Sequence, residues 1–360
     1  MIRRLTDLLG VAKAVTSAVR YEWWDRLWKV CETSDEPIDL EEGDRFYHLS
    51  INRTPGRLAS QLLSMIDARK KTGTKVTADD KRRLSRIFDS ATTSGWLARG
   101  ACAHDAGFVL HIDRRSTLQK FKPWLAQDDV QGATLRSVMV RYTSLGPVAT
   151  RAFKKELLKG VLESQPSNES GFNVASLLIR PLINEAMTQG RTKWGISRQE
   201  VRDILSHAPD GVLEGAASCL SRWIGDLDVD SAIAWRDYMA PIFSAIWPSE
   251  RRFKRPAITR HLTELCVGAG VAFPDAFSVL RHYLGAFGVG WHSLYFLDAS
   301  LAPTQDPGTS LDLLWILCGP AGQGQSSELG KILDSIVAAD PSLEVDRRLQ
   351  WLEQKAVRYG

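Results

Sequence analysis

The glycine-rich segments are the first place in this chain to look for nucleotide chemistry. Residues 285–290 read Gly-Ala-Phe-Gly-Val-Gly, but the glycines have the wrong spacing for a dinucleotide-binding turn and no predicted strand precedes them. Residues 319–327 read Gly-Pro-Ala-Gly-Gln-Gly-Gln-Ser-Ser and lack the lysine that a phosphate-binding loop places beside its Ser or Thr. Glycines that end helices are therefore the better interpretation of both segments.

The seven histidines could supply metal ligands or acid–base groups. His104 and His111 lie two turns apart on one predicted helix, whereas metal-binding pairs on helices are three or four residues apart. The chain has no Gly-x-Ser-x-Gly elbow, and none of its cysteines has the sequence context of a nucleophile. The residues therefore predict no catalytic group, no metal site and no cofactor, and an enzyme built from dispersed residues is the least favoured interpretation.

The five cysteines share no CxxC spacing, and four of them lie in apolar stretches, a pattern typical of reduced structural thiols in a cytosolic protein. The longest apolar runs, such as residues 311–318, are shorter than the roughly 20 residues that cross a bilayer. Asp7 and Lys13 interrupt the apolar N-terminal segment, and no clean signal-peptide cleavage site follows it. We therefore expect a soluble, cytoplasmic protein that does not bind membranes.

A basic segment at residues 247–260 is the strongest candidate interaction surface. Five cations surround Phe253 and the predicted helix start at Pro256, where they could bind phosphates or the acidic face of a partner protein. The alternative is a solvated loop whose arginines cap carbonyls and pair with carboxylates. The candidate surface consists of Trp247, Arg251, Arg252, Lys254, Arg255 and Arg260.

A second basic cluster, Lys81–Arg83 with Arg86, is typical of the solvent-exposed face of a helix. The whole chain carries a formal charge of +4, which neither requires nor excludes a nucleic-acid partner. These two basic clusters are therefore the sequence features that support nucleic-acid binding.

The elements that position these residues are amphipathic segments of helical length, which follow one another from Leu5 to Tyr359. Pro, Gly, Ser, Asp or Asn separates them, and one helix pair takes about 35–40 residues, close to the length of HEAT-type repeats. The apolar share of 44% suffices for a large core. We predict an all-α fold, an irregular HEAT-like helical-repeat solenoid, although no repeat aligns at the level of sequence.

Several element boundaries can be predicted from capping and turn residues. Thr54 with Pro55 predicts one helix start, and Thr77 predicts the cap of the next. Further predicted helices span residues 95–111, 230–246 and 291–299. The segment 164–171, Ser-Gln-Pro-Ser-Asn-Glu-Ser-Gly, is predicted to be an inter-helix loop, with a hinge as the alternative. It separates an N-terminal helical half, 1–163, from a C-terminal helical-repeat half, 172–360, and the two could also form one continuous domain.

Two passages of the chain carry a family resemblance. The first comprises Tyr47–Leu63 and Ala98–Asp113, and the second comprises Ile246–Arg252, Thr259–Leu265 and Phe273–Phe277. Together they resemble the all-helical C-terminal region of large bacterial proteins that carry an N-terminal sirtuin-like or NTPase module. Many of those proteins are implicated in anti-phage defence. The resemblance extends over most of the chain.

In such proteins the helical region is implied to sense an invader component or to mediate assembly, while the attached module destroys NAD or another target. No segment of this chain resembles a sirtuin's glycine-rich loop or catalytic His, so any activity is expected on a partner chain or missing domain. We expect a non-enzymatic scaffold or sensor of a bacterial defence system that recognises a protein partner, either an effector enzyme chain or a phage protein. The alternative is a nucleic-acid-binding helical solenoid that uses the basic segment 247–260.

Overall fold

The computed structural model describes residues 17–33, 43–165, 168–250, 254–288 and 290–356. The chain divides into two compact units, Met1–Ser164 and Gln165–Gly360. Helices make up both units, and the β structure of the described residues is a two-residue parallel ladder that pairs Gly290–Trp291 with Gly324–Gln325. The predicted all-α class is therefore confirmed.

The first unit consists of consecutive helices, two of which join end to end through a π-helical turn at Thr117–Phe121. The helices are α1 (Ser17–Thr33), α2 (Gly43–Asn52), α3 (Thr54–Lys71), α4 (Ala78–Asp89), α5 (Thr93–His104), α6 (Ala106–Ile112), α7 (Arg114–Ser116), α8 (Lys122–Ala126), α9 (Val130–Tyr142), α10 (Pro147–Ala152) and α11 (Lys154–Glu163).

The helix starts of the first unit agree with the sequence in part. Thr77 caps α4 in a reciprocal capping box with Asp80, as predicted. Thr54 is not a cap, because it is the first residue of α3 and the cap position belongs to Arg53, whose side chain makes no capping bond. The predicted helix 95–111 is wrong, since the chain leaves helical geometry at Asp105 and forms α5 and α6. His104 and His111 therefore lie on different helices.

Three helices of the first unit, α3, α5 and α9, carry a glycine as their third residue, pressed against the end of the preceding helix. These glycines are Gly56, Gly95 and Gly132, and a Cβ atom on any of them would come closer than 3.0 Å to a backbone carbonyl oxygen. The carbonyls belong, in the same order, to Ser50, Ser90 and Gln127. The spacing of the three glycines matches the 35–40 residues predicted for one helix pair.

A buried arginine, Arg99, lies four residues after Gly95 in the sequence. Arg99 is 1% exposed, and its Nη1 donates to the carbonyl oxygens of Ser90 at 2.5 Å and Ile87 at 3.4 Å. The guanidinium also lies 3.7 Å from the centroid of the Trp124 ring. Burial lowers its pKa to about 10, so the side chain stays charged at neutral pH and satisfies the last carbonyls of α4.

Arg136 repeats this arrangement four residues after Gly132. It is also 1% exposed, and its Nη1 donates to the carbonyl oxygens of Leu125 and Gln127, each at 2.6 Å. Its Nε and Nη2 donate to the two carboxylate oxygens of Glu163 at 2.7 and 2.8 Å. One side chain therefore fastens the end of α8 and the end of α11 to α9.

Ion pairs connect α1 to α4 and correct the interpretation of the second basic cluster. Arg83 is 7% exposed and donates to the Asp25 carboxylate at 2.7 Å. Arg86 pairs with both Asp25 and Glu32, at 3.0 and 3.2 Å. These two arginines face α1 rather than solvent because α1 presents carboxylates opposite them. Only Lys81 and Arg82 of the cluster are exposed.

Asp80 is a fully buried carboxylate at the start of α4. It accepts hydrogen bonds from the Thr77 amide at 2.8 Å and the Thr77 hydroxyl at 2.7 Å, and it pairs with Arg69. Burial opposes the charge, but the hydrogen bonds from Thr77 and the charge of Arg69 outweigh it and lower the pKa of Asp80 below its usual value.

Asp80→Asn is expected to lower the free energy of unfolding by about 3 kcal/mol at pH 7, because it removes one partner of a buried ion pair. The folded pKa lies below the unfolded value, so the carboxylate's contribution is complete above pH 3.8 and is lost as pH falls through the folded pKa. Urea unfolding at pH 7 and pH 3 should therefore give a smaller difference from wild type at pH 3. Asp79→Asn, at a 63% exposed side chain paired with Arg82, is the control, and an equal effect at both pH values would contradict this account.

The second unit also consists of consecutive helices, and a π-helical turn at Ala234–Met239 joins two of them. The helices are α12 (Asn168–Met187), α13 (Arg198–His207), α14 (Asp210–Asp226), α15 (Ser231–Ile233), α16 (Ala240–Ile246), α17 (Pro256–Gly268), α18 (Phe273–Leu280), α19 (Tyr295–Asp298), α20 (Ala302–Gln305), α21 (Pro307–Cys318), α22 (Leu329–Ala339) and α23 (Arg347–Lys355). Short 3₁₀ turns occur at Gly270–Ala272 and Pro341–Val345, and the strands are β1 (Gly290–Trp291) and β2 (Gly324–Gln325).

Two predicted elements of the second unit need correction. The segment 164–171 is not a loop throughout, since α12 begins at Asn168, while residues 166–167 lie outside the described residues. The predicted helix 291–299 is reduced to α19 because Gly290 has a φ of 125° and starts the ladder with β2. The predicted helix 230–246 is confirmed as the continuous run from α15 to α16.

Helices α12, α14 and α17 lie side by side and run in the same direction. Near their starts, a Cβ atom on Gly171 would come within 3.0 Å of the Gly211 carbonyl oxygen, and one on Gly215 would overlap the Gly171 backbone. Near their ends, a Cβ atom on Gly268 of α17 would lie 2.9 Å from the side chain of Ile224 of α14. The first turn of α12 thus packs backbone to backbone on α14.

A sharp bend separates α17 from α18. Gly270 has a φ of 60°, which glycine adopts without a Cβ penalty, and the two helical segments meet at 113°. Among the described residues, no single helix has both the length and the apolar composition needed to cross a bilayer. Within the same residues, only this bent pair has that length and composition, and only when its two helices are counted together.

All five cysteines are buried and unpaired, which confirms their prediction as structural thiols. Burial raises the pKa of Cys31 to about 11 and the pKa values of Cys219 and Cys318 to about 12. Burial raises the pKa values of Cys102 and Cys266 as well. These side chains act as small apolar groups in the helix interfaces.

Candidate functional site

Trp247 does not belong to the predicted interaction surface. Its side chain is 1% exposed, and its ring stacks on Phe243 with centroids 5.3 Å apart and planes 15° from parallel. The indole lies directly after the end of α16 and packs back onto that helix. A partner therefore cannot contact it without opening the core.

The structure describes three of the five cations of the predicted surface, and two of these three form ion pairs with carboxylates. Arg255 pairs with Asp210 at the start of α14, and Arg260 pairs with Glu264 at 3.1 Å. Lys254 is exposed, whereas Arg251 and Arg252 lie outside the described residues. Paired guanidinium groups attract phosphates less strongly than unpaired ones, so this geometry favours the solvated-loop interpretation of the segment.

A groove of about 490 Å³ lies across α12, α14 and α17. Its size lies within the range of ligand-binding clefts. Residues from all three helices line it, namely Phe172, Asn173, Glu214, Gly215, Ser218, Arg222 and His261.

The spacing of residues on α14 builds one wall of this groove. Glu214, Ser218 and Arg222 are four residues apart and therefore lie on one face of the helix. Gly215 lies beside them and lets α12 approach closely enough for Phe172 to form part of the lining. The remaining wall is the first half of α17, which contributes His261.

Hydrogen bonds orient the polar groups on the α17 side. Nδ1 of His261 donates to the Glu264 carboxylate at 2.9 Å, which assigns the proton to that nitrogen. Burial opposes the charge on Glu264, but bonds from His261 and Arg260 outweigh it and lower the pKa of the carboxyl. Glu264 therefore remains a carboxylate at neutral pH and holds the side chains of His261 and Arg260 in position.

The groove combines opposite charges with an aromatic surface. The Arg222 guanidinium carbon lies 4.5 Å from the centroid of Phe172, a stacked geometry that leaves the edge of the guanidinium available for hydrogen bonds. Glu214 supplies a carboxylate, and Ser218 and Asn173 supply neutral donors and acceptors. Such a set suits polar and charged groups of an extended peptide. Within the described residues, no group of three His, Cys, Asp or Glu side chains is arranged to hold a metal ion.

Sequence reasoning missed this groove, although a signal for it exists. On α14, Glu214 and Ser218 interrupt an otherwise apolar run from Val212 to Leu220, and Arg222 follows that run. A polar stripe with a four-residue period on a buried helix indicates a face without a packing partner. The position of His261 opposite that stripe depends on helix packing, which the sequence does not reveal.

Comparison with known proteins finds one curated relative over the full chain. An uncharacterized protein of Sinorhizobium fredii, y4cA, is 35% identical over 362 residues. The match covers 100% of this chain and 30% of the relative, so the chain spans about a third of that protein's length. No family model matches the sequence, and no solved structure matches it.

Proposed function

We propose that this chain is a helical recognition module that binds a protein segment in the groove across α12, α14 and α17. The observation that carries the proposal is the groove itself, where Arg222, Glu214 and His261 are held in place by three helices packed through glycine. A partner segment with an acidic residue for Arg222 and a basic residue for Glu214 fits this charge pattern.

The architecture that we propose for the module is a HEAT-like stack of helix pairs. Support comes from the recurring glycines in the first turns of helices, at positions 56, 95 and 132 in the first unit and at positions 171 and 211 in the second. Support also comes from the two buried arginines, 99 and 136, that repeat one contact at one repeat distance. In such stacks each pair packs on its neighbours, and a continuous row of helices forms the binding surface.

The biological setting that we propose is bacterial anti-phage defence, where this module would act as a non-enzymatic scaffold or sensor in the cytoplasm. Support comes from the resemblance of Tyr47–Leu63 and Ile246–Arg252, with their companion segments, to the helical regions of defence proteins. The Sinorhizobium relative extends well beyond the matched region, as expected if the helical module operates beside another one. The partner would be an effector enzyme or a phage protein.

Site-specific photo-crosslinking tests the proposed groove. Benzoylphenylalanine at Asn173, which is exposed and lines the groove, is expected to trap one protein partner in the native host, with and without phage challenge. The same residue at Lys331, exposed on α22, is the matched control and should trap nothing above background. Arg222→Glu in the Asn173 variant should reduce the crosslink about tenfold by reversing one charge of the site. Equal crosslinking from both positions, or a crosslink that Arg222→Glu leaves unchanged, would refute the groove as the binding site.

The nucleic-acid alternative has less support than the protein partner. Arg255 and Arg260, two of its cations, are paired with Asp210 and Glu264. The alternative requires binding that weakens steeply with salt and equally for all sequences. Nucleic acid that co-purifies with the tagged protein, without a crosslinked protein, would make nucleic-acid binding the leading hypothesis.

A further inference from the structure

We propose that the first unit contains a second, independent binding site that takes a small organic phosphate with a planar apolar body. The site is a groove of about 520 Å³ between α6, α7 and the start of α10. Its lining consists of Gly107, Phe108, Leu110, His111, Arg114, Ser144, Gly146, Pro147, Val148 and Ala149. This site does not rest on the function proposed above, because it involves other helices and another unit.

One part of the groove is apolar and open. Phe108, Pro147 and Val148 line it, and Val148 is 51% exposed although it is a large aliphatic residue. An aromatic ring and two aliphatic side chains together form a surface on which a planar group gains offset stacking and burial. The volume falls within the range of small-molecule clefts.

The other part of the groove is basic. His111 and Arg114 belong to the lining, and Lys70 of α3 contacts two of the lining residues, His111 and Phe108. The Lys70 ammonium lies 2.5 Å from Nε2 of His111 and 6.0 Å from the centroid of the Phe108 ring. Lys70 donates this bond, so Nε2 of His111 carries no proton while the bond is present.

The basic groups of this groove lack the carboxylate partners that neighbouring cations have. Arg69 and Lys71, on either side of Lys70, pair with Asp80 and Asp67. Within the described residues, neither Lys70 nor Arg114 forms an ion pair. Cations without a carboxylate partner, next to an apolar surface, are complementary to an anionic ligand that also has an apolar group.

Phosphate is the anion that these donors fit best. The planar guanidinium of Arg114 can bind two of its oxygens in parallel, and the Lys70 ammonium can bind as a point charge. A phosphomonoester carries close to two negative charges at neutral pH, which matches two cations. A carboxylate would balance only one of them.

Calorimetric titration of the full chain tests the site with defined probes. Adenosine monophosphate and 1-naphthyl phosphate both join a phosphate to a planar body, and they separate a nucleotide ligand from other organic phosphates. Each is compared with its phosphate-free half, adenosine or 1-naphthol, and with inorganic phosphate. We expect at least one phosphomonoester to bind about tenfold more tightly than its own phosphate-free half and than inorganic phosphate.

Substitutions then locate the bound probe. Arg114→Ala and Lys70→Ala are each expected to weaken binding about tenfold, since each removes a charged partner of the phosphate. Arg115→Ala is the matched control, because Arg115 is exposed on the same short helix and does not line the groove. All three side chains are exposed, so the three variants should unfold at the same temperature as the wild type. A variant that binds less tightly but unfolds at that temperature has lost binding without losing its fold. The proposal is overturned if neither phosphomonoester binds in the millimolar range, or if Arg115→Ala weakens binding as much as Arg114→Ala.

Discussion

The free energy of unfolding of the Arg136→Met variant is expected to be about 3–5 kcal/mol lower than that of the wild type. Methionine keeps much of the side-chain volume but removes every donor. The carbonyl groups of Leu125 and Gln127 then lose their partner, and Glu163 loses a bidentate ion pair. Urea denaturation followed by far-ultraviolet circular dichroism measures the difference directly.

Two further variants make the Arg136 result specific. Arg136→Lys keeps the charge but not the planar fork, so it should recover only part of the lost stability. Arg82→Met, at an exposed arginine paired with Asp79 at 3.0 Å, should cost no more than about 1 kcal/mol. If Arg136→Met costs as little as Arg82→Met, Arg136 does not fasten the ends of α8 and α11.

Two glycines of α14 are expected to respond to alanine in opposite directions. A Cβ atom on Gly215 would overlap the backbone of Gly171, so Gly215→Ala forces α12 and α14 apart and should cost at least about 3 kcal/mol. Gly225 lies in the last turn of the same helix with nothing within 4 Å of its Cβ position. Gly225→Ala should therefore raise stability by about 0.5–1 kcal/mol through higher helix propensity.

Thermal and urea unfolding of both glycine variants test this pair. Both variants replace glycine by alanine in the same helix, so the gain in helix propensity is similar in the two. The difference between their free energies of unfolding therefore reports the difference in packing. Gly215→Ala should also disturb the groove, since Gly215 lines it beside Ser218. Two variants of equal stability would mean that α12 and α14 can move apart at no cost.

The sequence predicts the helical class of this chain because an amphipathic period and capping residues are local signals. Thr77 forms the predicted cap, which Asp80 completes as a capping box, since a cap requires only residues three positions apart. Thr54 is the first residue of α3 instead of its cap, and Gly56 in the same turn lies against the Ser50 carbonyl of the preceding helix. Local signals thus fix the type of an element better than its ends.

The exposure of individual side chains in the two basic clusters could not be predicted for a different physical reason. A tryptophan next to a basic segment can lie in the core or on the surface, and only the packing of α16 places Trp247 in the core. Arg83 shows the same ambiguity, since its exposure depends on Asp25, which is distant in sequence. The regular spacing of Gly56, Gly95 and Gly132 is hard to see in the sequence because each position is set by the backbone contact of a single glycine, which leaves the surrounding residues free to vary.

The burial of every thiol has a practical consequence for labelling. With pKa values near 11 or higher, these five side chains present almost no thiolate at neutral pH, and their burial blocks reagents. A cysteine introduced at an exposed position, such as Lys331 or Asn173, would react with a maleimide far faster than the native ones. The wild-type background therefore accepts a single fluorophore or spin label without removal of any native cysteine.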